Sequence, residues 1–187
     1  MDRHPYILSP EKSAFVLIDL QTNLLKAMDP VLLKERLANV RTLIELAKTF
    51  EVPVLVTEQY PEGLGTTDEA VVEALPVYEP VVKNSFSAGV VPATLEAIAA
   101  TGATDLVIVG AEAHVCVLQT TLDLLYHGYR CHVVEDAIIS RRDEHRLTAV
   151  ELARQAGALV KVTEMVCFEM LERAGTEAFK TMLRWIK

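Results

Sequence analysis

Short apolar runs alternate with helical patterns along this chain, and that alternation restricts it to one class of fold. Residues 14–18 are continuously apolar and stop at Asp19. Residues 31–50 then place Leu33, Leu37, Val40, Ile44 and Ala47 at alternating steps of four and three, one face of a long helix. Further strands are predicted at 54–56, 81–82, 106–109, 131–134 and 158–162. Helices are predicted at 68–75, 93–101, 116–127 (Leu118, Leu122 and Leu125 inward) and 143–156, with a C-terminal helical stretch over 176–187. Continuous apolar strands separated by helices form a parallel sheet covered on both faces. The expected architecture is α/β: a three-layer, doubly wound sheet of six mainly parallel strands in order 3-2-1-4-5-6, helices on both faces. All of 1–187 is assigned to a single domain, a length at which folding buries roughly 70% of the unfolded surface.

Charge and cysteine usage exclude several classes of function. With 18 basic and 26 acidic side chains the formal charge is −8, which repels nucleic acid. The apolar runs are far shorter than the roughly 20 residues of a membrane helix. The start, Met1-Asp2-Arg3-His4-Pro5-Tyr6, lacks a charged region followed by an apolar core, so the chain is expected to be soluble and cytoplasmic. Cysteines stand at 116, 131 and 167, an odd number without close pairing, which argues against a disulfide framework and against C-x-x-C chemistry. Gly63-Leu64-Gly65 lacks the third glycine of a dinucleotide fingerprint, and position 122 is leucine, so no C-x5-R phosphate loop follows Cys116.

The predicted topology locates a site. Ligands of open parallel sheets bind beyond the carboxyl ends of the strands, where strand order reverses, here between strands one and four. Asp19 leaves strand one, Lys83 leaves strand three, and Cys116 lies six residues past Gly110 at the opening of a helix. A thiol at a helix start is expected to be held toward its thiolate by the helix dipole. Together the three offer a nucleophile, a base and a cation. Taken singly, the same residues fit a buried thiol, a turn organiser at Asp19-Leu20-Gln21-Thr22-Asn23 and a solvated lysine.

Three motifs in register carry a family resemblance over nearly the whole chain. Phe15-Val16-Leu17-Ile18-Asp19-Leu20-Gln21, Val82-Lys83-Asn84-Ser85-Phe86-Ser87 and Val109-Gly110-Ala111-Glu112-Ala113-His114-Val115-Cys116-Val117 resemble the isochorismatase-like cysteine hydrolases, which include nicotinamidases and carbamoylsarcosine amidohydrolases. Thr57-Glu58-Gln59-Tyr60-Pro61 is similar to the isochorismatase-domain-containing branch. The resemblance implies an Asp-Lys-Cys triad with Asp19 as general base, Lys83 as the cation and Cys116 as nucleophile. It further implies a cis peptide at Ala111–Glu112 and an oxyanion hole from the main-chain N–H groups of Glu112 and Cys116. The expected activity is hydrolysis of a small amide, carbamate or ureide through an acyl-thioester. The alternative is an idle member serving as an assembly or interaction module.

The chain also departs from its relatives. Nicotinamidases of the family bind a metal through histidines after strand two, whereas here no histidine lies between His4 and His114. No metal and no cofactor are therefore expected. The expected partners are a small-molecule substrate and further copies of the chain in a homo-oligomer. Gln21, Glu58, Tyr60, Phe86 and His114 are candidate substrate contacts. Glu58 and Tyr60 equally suit a loop cap, Phe86 a core residue, and His114 a pocket entrance or subunit contact. Cys131 and Cys167 are assigned structural roles, and 166–169 either a lid over the site or a subunit contact.

Overall fold

The structure, a computed structural model, describes residues 3–186. Met1 and Asp2, where the N-terminal segment begins, and Lys187, which ends the predicted 176–187 stretch, lie outside the described residues. After a 3-10 turn, Pro10–Lys12, the elements run β1 (Ser13–Ile18), α1 (Thr22–Leu25), α2 (Pro30–Thr49), β2 (Val54–Gln59), α3 (Pro61–Leu64), α4 (Glu69–Ala74), β3 (Val81–Lys83) and α5 (Pro92–Thr101). They continue as β4 (Asp105–Ala111), α6 (Leu118–Tyr126), β5 (Arg130–Ile139), α7 (Asp143–Gln155), β6 (Leu159–Lys161), α8 (Thr163–Leu171) and α9 (Glu177–Met182). The six strands form one sheet in the order β3-β2-β1-β4-β5-β6, every pair parallel.

Strand periodicity divides the core in two. Successive side chains of β1 point to opposite faces. Phe15 and Leu17 join Val107 and Val109 of β4 beneath α2 and α8, while Ala14, Val16 and Ile18 join Ile108 beneath α6 and α7. The α2 face is the predicted one, with Val40, Ile44 and Ala47 buried and Leu33 and Leu37 partly so. Asp29 starts that helix by accepting the N–H groups of Val31 and Leu32. On α6 the buried residues are instead Thr120, Thr121 and Leu124, with Leu118, Leu122 and Leu125 only partly covered. Threonine is tolerated there because each hydroxyl is used: Thr120 Oγ1 accepts the Ala88 N–H at 2.9 Å, and Thr121 Oγ1 donates to the Val117 carbonyl at 2.8 Å.

Two features of β4 and β5 shape the carboxyl rim. Gly110 sits at φ 127°, and a Cβ there would lie 2.0 Å from the Ile18 carbonyl oxygen and 2.7 Å from its nitrogen. Neither contact can be relieved without moving β1. Gly110→Ala is expected to destabilise the fold by about 2–5 kcal/mol, read as a lower urea midpoint at unchanged slope. In β5, Val133 faces Ile108 but Ile138 faces Gly110, so five steps along β5 oppose two along β4. The surplus residues are tied down: the Asp136 carbonyl accepts Asn39 Nδ2 at 2.7 Å and the Glu135 carbonyl accepts Arg146 Nη1 at 3.2 Å. Such an irregularity re-aims the chain that follows it, here the end of β5 and the residues just beyond it, Ser140 and Arg141.

The structure corrects several boundaries. β2 continues through Glu58 and Gln59, and β5 runs ten residues where periodicity predicts 131–134. The β2 extension is polar, and its burial is sustained by hydrogen bonds that hydropathy does not register; in β5 the half-buried polar pair Glu135-Asp136 interrupts the apolar run before the buried Ala137, Ile138 and Ile139. Residues 166–169, expected as a lid or contact segment, lie within α8, whose first N–H (Thr163) donates to Asp136 Oδ1 at 2.8 Å. Val166 and Cys167 are fully buried against α2 and belong to the core, whereas Phe168 is exposed and Glu169 half-buried, so the stretch is a packed helix turn with one outward face. Cys131 is equally buried, inside β5.

Candidate active site

β1 delivers Asp19 to the rim beside β2 and β4. Its backbone turns into the left-handed region at φ 49°, which aspartate tolerates better than most residues. Its N–H still reaches the Thr57 carbonyl at 3.2 Å, and its Oδ1 accepts the Thr57 hydroxyl at 2.7 Å. Lys83, the last residue of β3, spans the intervening strand, and its Nζ meets Asp19 Oδ2 at 2.7 Å. Both side chains are 0% exposed. The ammonium also donates to Gln59 Oε1 at 2.9 Å and to the carbonyls of Phe86 at 3.1 Å and Ser85 at 3.3 Å. A buried ion pair survives only with such supplementary partners.

Cys116 completes the cluster from the other side of the switch point. The Ala111–Glu112 peptide is cis, and the chain then makes one wide turn, Ala113–Val117, before α6. In that turn the Val117 N–H reaches back five residues to the Glu112 carbonyl at 3.2 Å. Cys116 is buried, with the Asp19 carboxylate and Lys83 ammonium as its charged neighbours. Burial first, and then the negative charge of Asp19, push the thiol up to about 12, against the lowering pull of Lys83. The expected dipole-favoured thiolate is thus not the resting form, because Cys116 lies within the wide turn and burial outweighs any helix-terminus effect. The thiol carries its proton at neutral pH and sits beside a carboxylate able to take it.

The remaining candidates divide into braces and exposed residues. Gln21 is fully buried: its Nε2 donates to the carbonyls of Gln59 at 3.0 Å and Gly65 at 2.5 Å, and its Oε1 accepts the Gln59 N–H at 2.7 Å. Glu58 is buried and accepts the Thr67 N–H at 2.6 Å, the Thr67 hydroxyl at 2.8 Å and the Tyr78 hydroxyl. Of its two predicted roles, the one these bonds describe is the loop cap. Tyr60 is exposed at φ 39°, its N–H donating to the Lys83 carbonyl at 2.9 Å. Phe86 is 55% exposed, which removes the core reading, and its carbonyl oxygen touches Lys83. His114 Nδ1 lies 3.0 Å from Ser140 Oγ, and its ring stands 4.7 Å from that of His145. Burial, chiefly, holds its pKa below the usual histidine value.

Three contributors are missing from the sequence reading. Thr57 and Gln59 hold Asp19 and Lys83 directly, and their signal is a polar Thr-Glu-Gln ending on an apolar strand. Arg141 binds the Glu112 carboxylate, a pairing across 29 residues that no local pattern announces. Among the described residues no group of three histidine, cysteine, aspartate or glutamate side chains is arranged to hold a metal ion. The residues after β2 are Tyr60 and Pro61, which do not fit the histidine site of the metal-binding relatives.

Comparison with known proteins agrees with this fold. The pattern of the isochorismatase domain family matches residues 13–165. The isochorismatase domain-containing protein 2 of Macaca fascicularis is 39% identical over 147 residues, which span 78% of this chain and 69% of that protein. The structure of the MAR1 ribonuclease from Caenorhabditis elegans superposes with a TM-score of 0.88 at 35% identity, covering 96% of this chain and 91% of its own. YcaC from Pseudomonas aeruginosa, solved with hexane-2,5-diol and covalent acrylamide, gives a TM-score of 0.89 at 25% identity over 98% and 93% of the two chains.

Proposed function

This chain belongs to the isochorismatase domain family, and on that premise we propose that it is a cysteine-dependent, metal-independent hydrolase of a small amide, carbamate or ureide. The arrangement that supports this most is the buried Cys116 thiol with Asp19 and Lys83 as its charged neighbours, the carboxylate held by the ammonium at 2.7 Å. Asp19 takes the thiol proton as sulfur attacks the substrate carbonyl. The main-chain N–H groups of Glu112 and Cys116 receive the oxyanion. Collapse expels the amine with that proton and leaves an acyl-thioester. Water, deprotonated by Asp19, then releases the acid and restores the thiol. Lys83 keeps Asp19 oriented and offsets negative charge throughout.

Substrate contact is assigned to the rim: Tyr60 and Phe86 are the exposed aromatics beside Lys83, while Gln21 and Glu58 support the loop that carries Tyr60. The covalent acrylamide on the Pseudomonas neighbour is in keeping with a nucleophile able to meet a small amide-bearing electrophile. RNA cleavage is not carried over from the nematode relative, because a formal charge of −8 gives this chain little attraction for a polyanion. A homo-oligomer is part of the proposal, supported by exposed apolar side chains such as Tyr126, Leu147 and Leu152. No described helix is long and apolar enough to cross a membrane.

The proposal is tested by ammonia release across a panel of small amides, carbamates and ureides. Metal-free protein is expected to turn over at least one of them. Failure on the whole panel, or turnover that appears only with added zinc, contradicts the proposal.

A further inference from the structure

The side chain of Glu112 has a task separate from that of its main chain. Its carboxylate is buried and turned toward the loop beyond β5. There Oε2 accepts the Arg141 N–H at 3.0 Å, while Arg141 Nε lies 3.1 Å from both carboxylate oxygens and Nη2 lies 3.0 Å from Oε1. Burial opposes ionisation of this carboxyl, yet the Arg141 guanidinium and N–H keep it below the usual carboxylate range. Two residues on, His114 Nδ1 meets Ser140 Oγ at 3.0 Å. The turn leading to Cys116 is therefore fastened at two points to Ser140-Arg141. Those residues reach it because β5 carries its surplus residues upstream and is pinned there by Asn39 and Arg146.

The stability contributed by this pair is small. The Arg141 side chain is 59% exposed, and exposed ion pairs are worth little in water. What the pair does fix is direction. A carboxylate held by a planar fork and a main-chain N–H has one orientation, and the peptide nitrogen of the same residue is held with it.

We propose that Arg141, acting through the Glu112 carboxylate, is a positioning residue that aims the Glu112 N–H at the oxyanion of the reaction. This role rests on the cysteine-hydrolase reading. It predicts that carbonyl addition at Cys116 depends on Arg141, whereas reactions of the same sulfur that develop no oxyanion do not.

Two probes separate those cases. With p-nitrophenyl acetate, sulfur bonds to the carbonyl carbon, the bond to p-nitrophenolate breaks, and the thiol proton passes to the base. With iodoethane, sulfur displaces iodide and no oxyanion forms. Arg141→Gln is expected to slow acetylation of Cys116 by about 10- to 100-fold, up to the loss that follows a misplaced group and short of that for a deleted oxyanion donor, because the Glu112 N–H is misaimed and not removed. Ethylation of Cys116 is expected to stay within about twofold, since the thiol and its base are untouched. Arg141→Lys, which keeps the charge but not the fork, should recover only part of the loss. The thermal midpoint should hardly move in either variant. Equal loss of both reactions, or loss of neither, overturns the positioning role. A wild-type protein whose p-nitrophenolate burst survives Cys116→Ala, or that gives no burst, overturns the nucleophile assignment itself.

Discussion

Replacing Cys116 by alanine is expected to lower turnover by about 10⁴-fold or more while leaving the fold in place. On the proposed mechanism, loss of the covalent nucleophile removes the whole acylation route, and no neighbouring group is placed to substitute for it. Asp19 and Lys83 are fully buried and already committed to each other. Any residual rate comes from binding and from the oxyanion donors alone. The structural cost is modest: a single sulfur is lost from a buried site, a change of about 1 kcal/mol. Steady-state assay on the panel substrate and a urea melt of the same preparation check both halves. Cys131→Ala and Cys167→Ala are the contrast, since both thiols lie in the core away from the rim and should alter stability without altering chemistry.

The largest effect on stability is expected at Lys83. Lys83→Met leaves the Asp19 carboxylate at 0% exposure with the Thr57 hydroxyl as its remaining side-chain hydrogen bond, and strands the Gln59 Oε1 acceptor as well. Breaking a buried pair from one side costs about 3–5 kcal/mol, because the surviving charge keeps its desolvation penalty and loses its partner. For a chain of this size that is roughly 6–20 °C in Tm. The double variant Asp19→Asn/Lys83→Met removes both charges and is expected to recover much of the loss while remaining inactive. Additive losses in that cycle would mean that the two residues do not act as a unit.

The legible part of this protein is its periodicity. Continuous apolar runs separated by helical faces yield the order of six strands, and strand ends locate Asp19, Lys83 and Cys116 without knowledge of any contact. What periodicity carries poorly is polar burial. Thr57, Glu58 and Gln59 prolong β2 although their composition reads as loop, because their buried polar groups find partners on Asp19, Lys83, Thr67, Tyr78, Asn84 and Gln21. The same blindness hides the inward threonines of α6. The ionisation of Cys116 departs from expectation for a related reason: position at a helix start is visible in a sequence, while desolvation and a facing carboxylate arise only from packing. Arg141 is invisible because the surplus residues of β5 that direct it toward Glu112 leave no local trace.

The central claim is that Cys116 carries the acyl group during turnover. Acid quenching of the protein while it turns over its panel substrate, followed by digestion and mass mapping, tests this directly. A mass increase equal to the substrate's acyl portion is expected on the peptide containing Cys116 and on no other. An acyl group on Cys131 or Cys167, or sustained turnover with all three cysteine peptides unmodified, would contradict it.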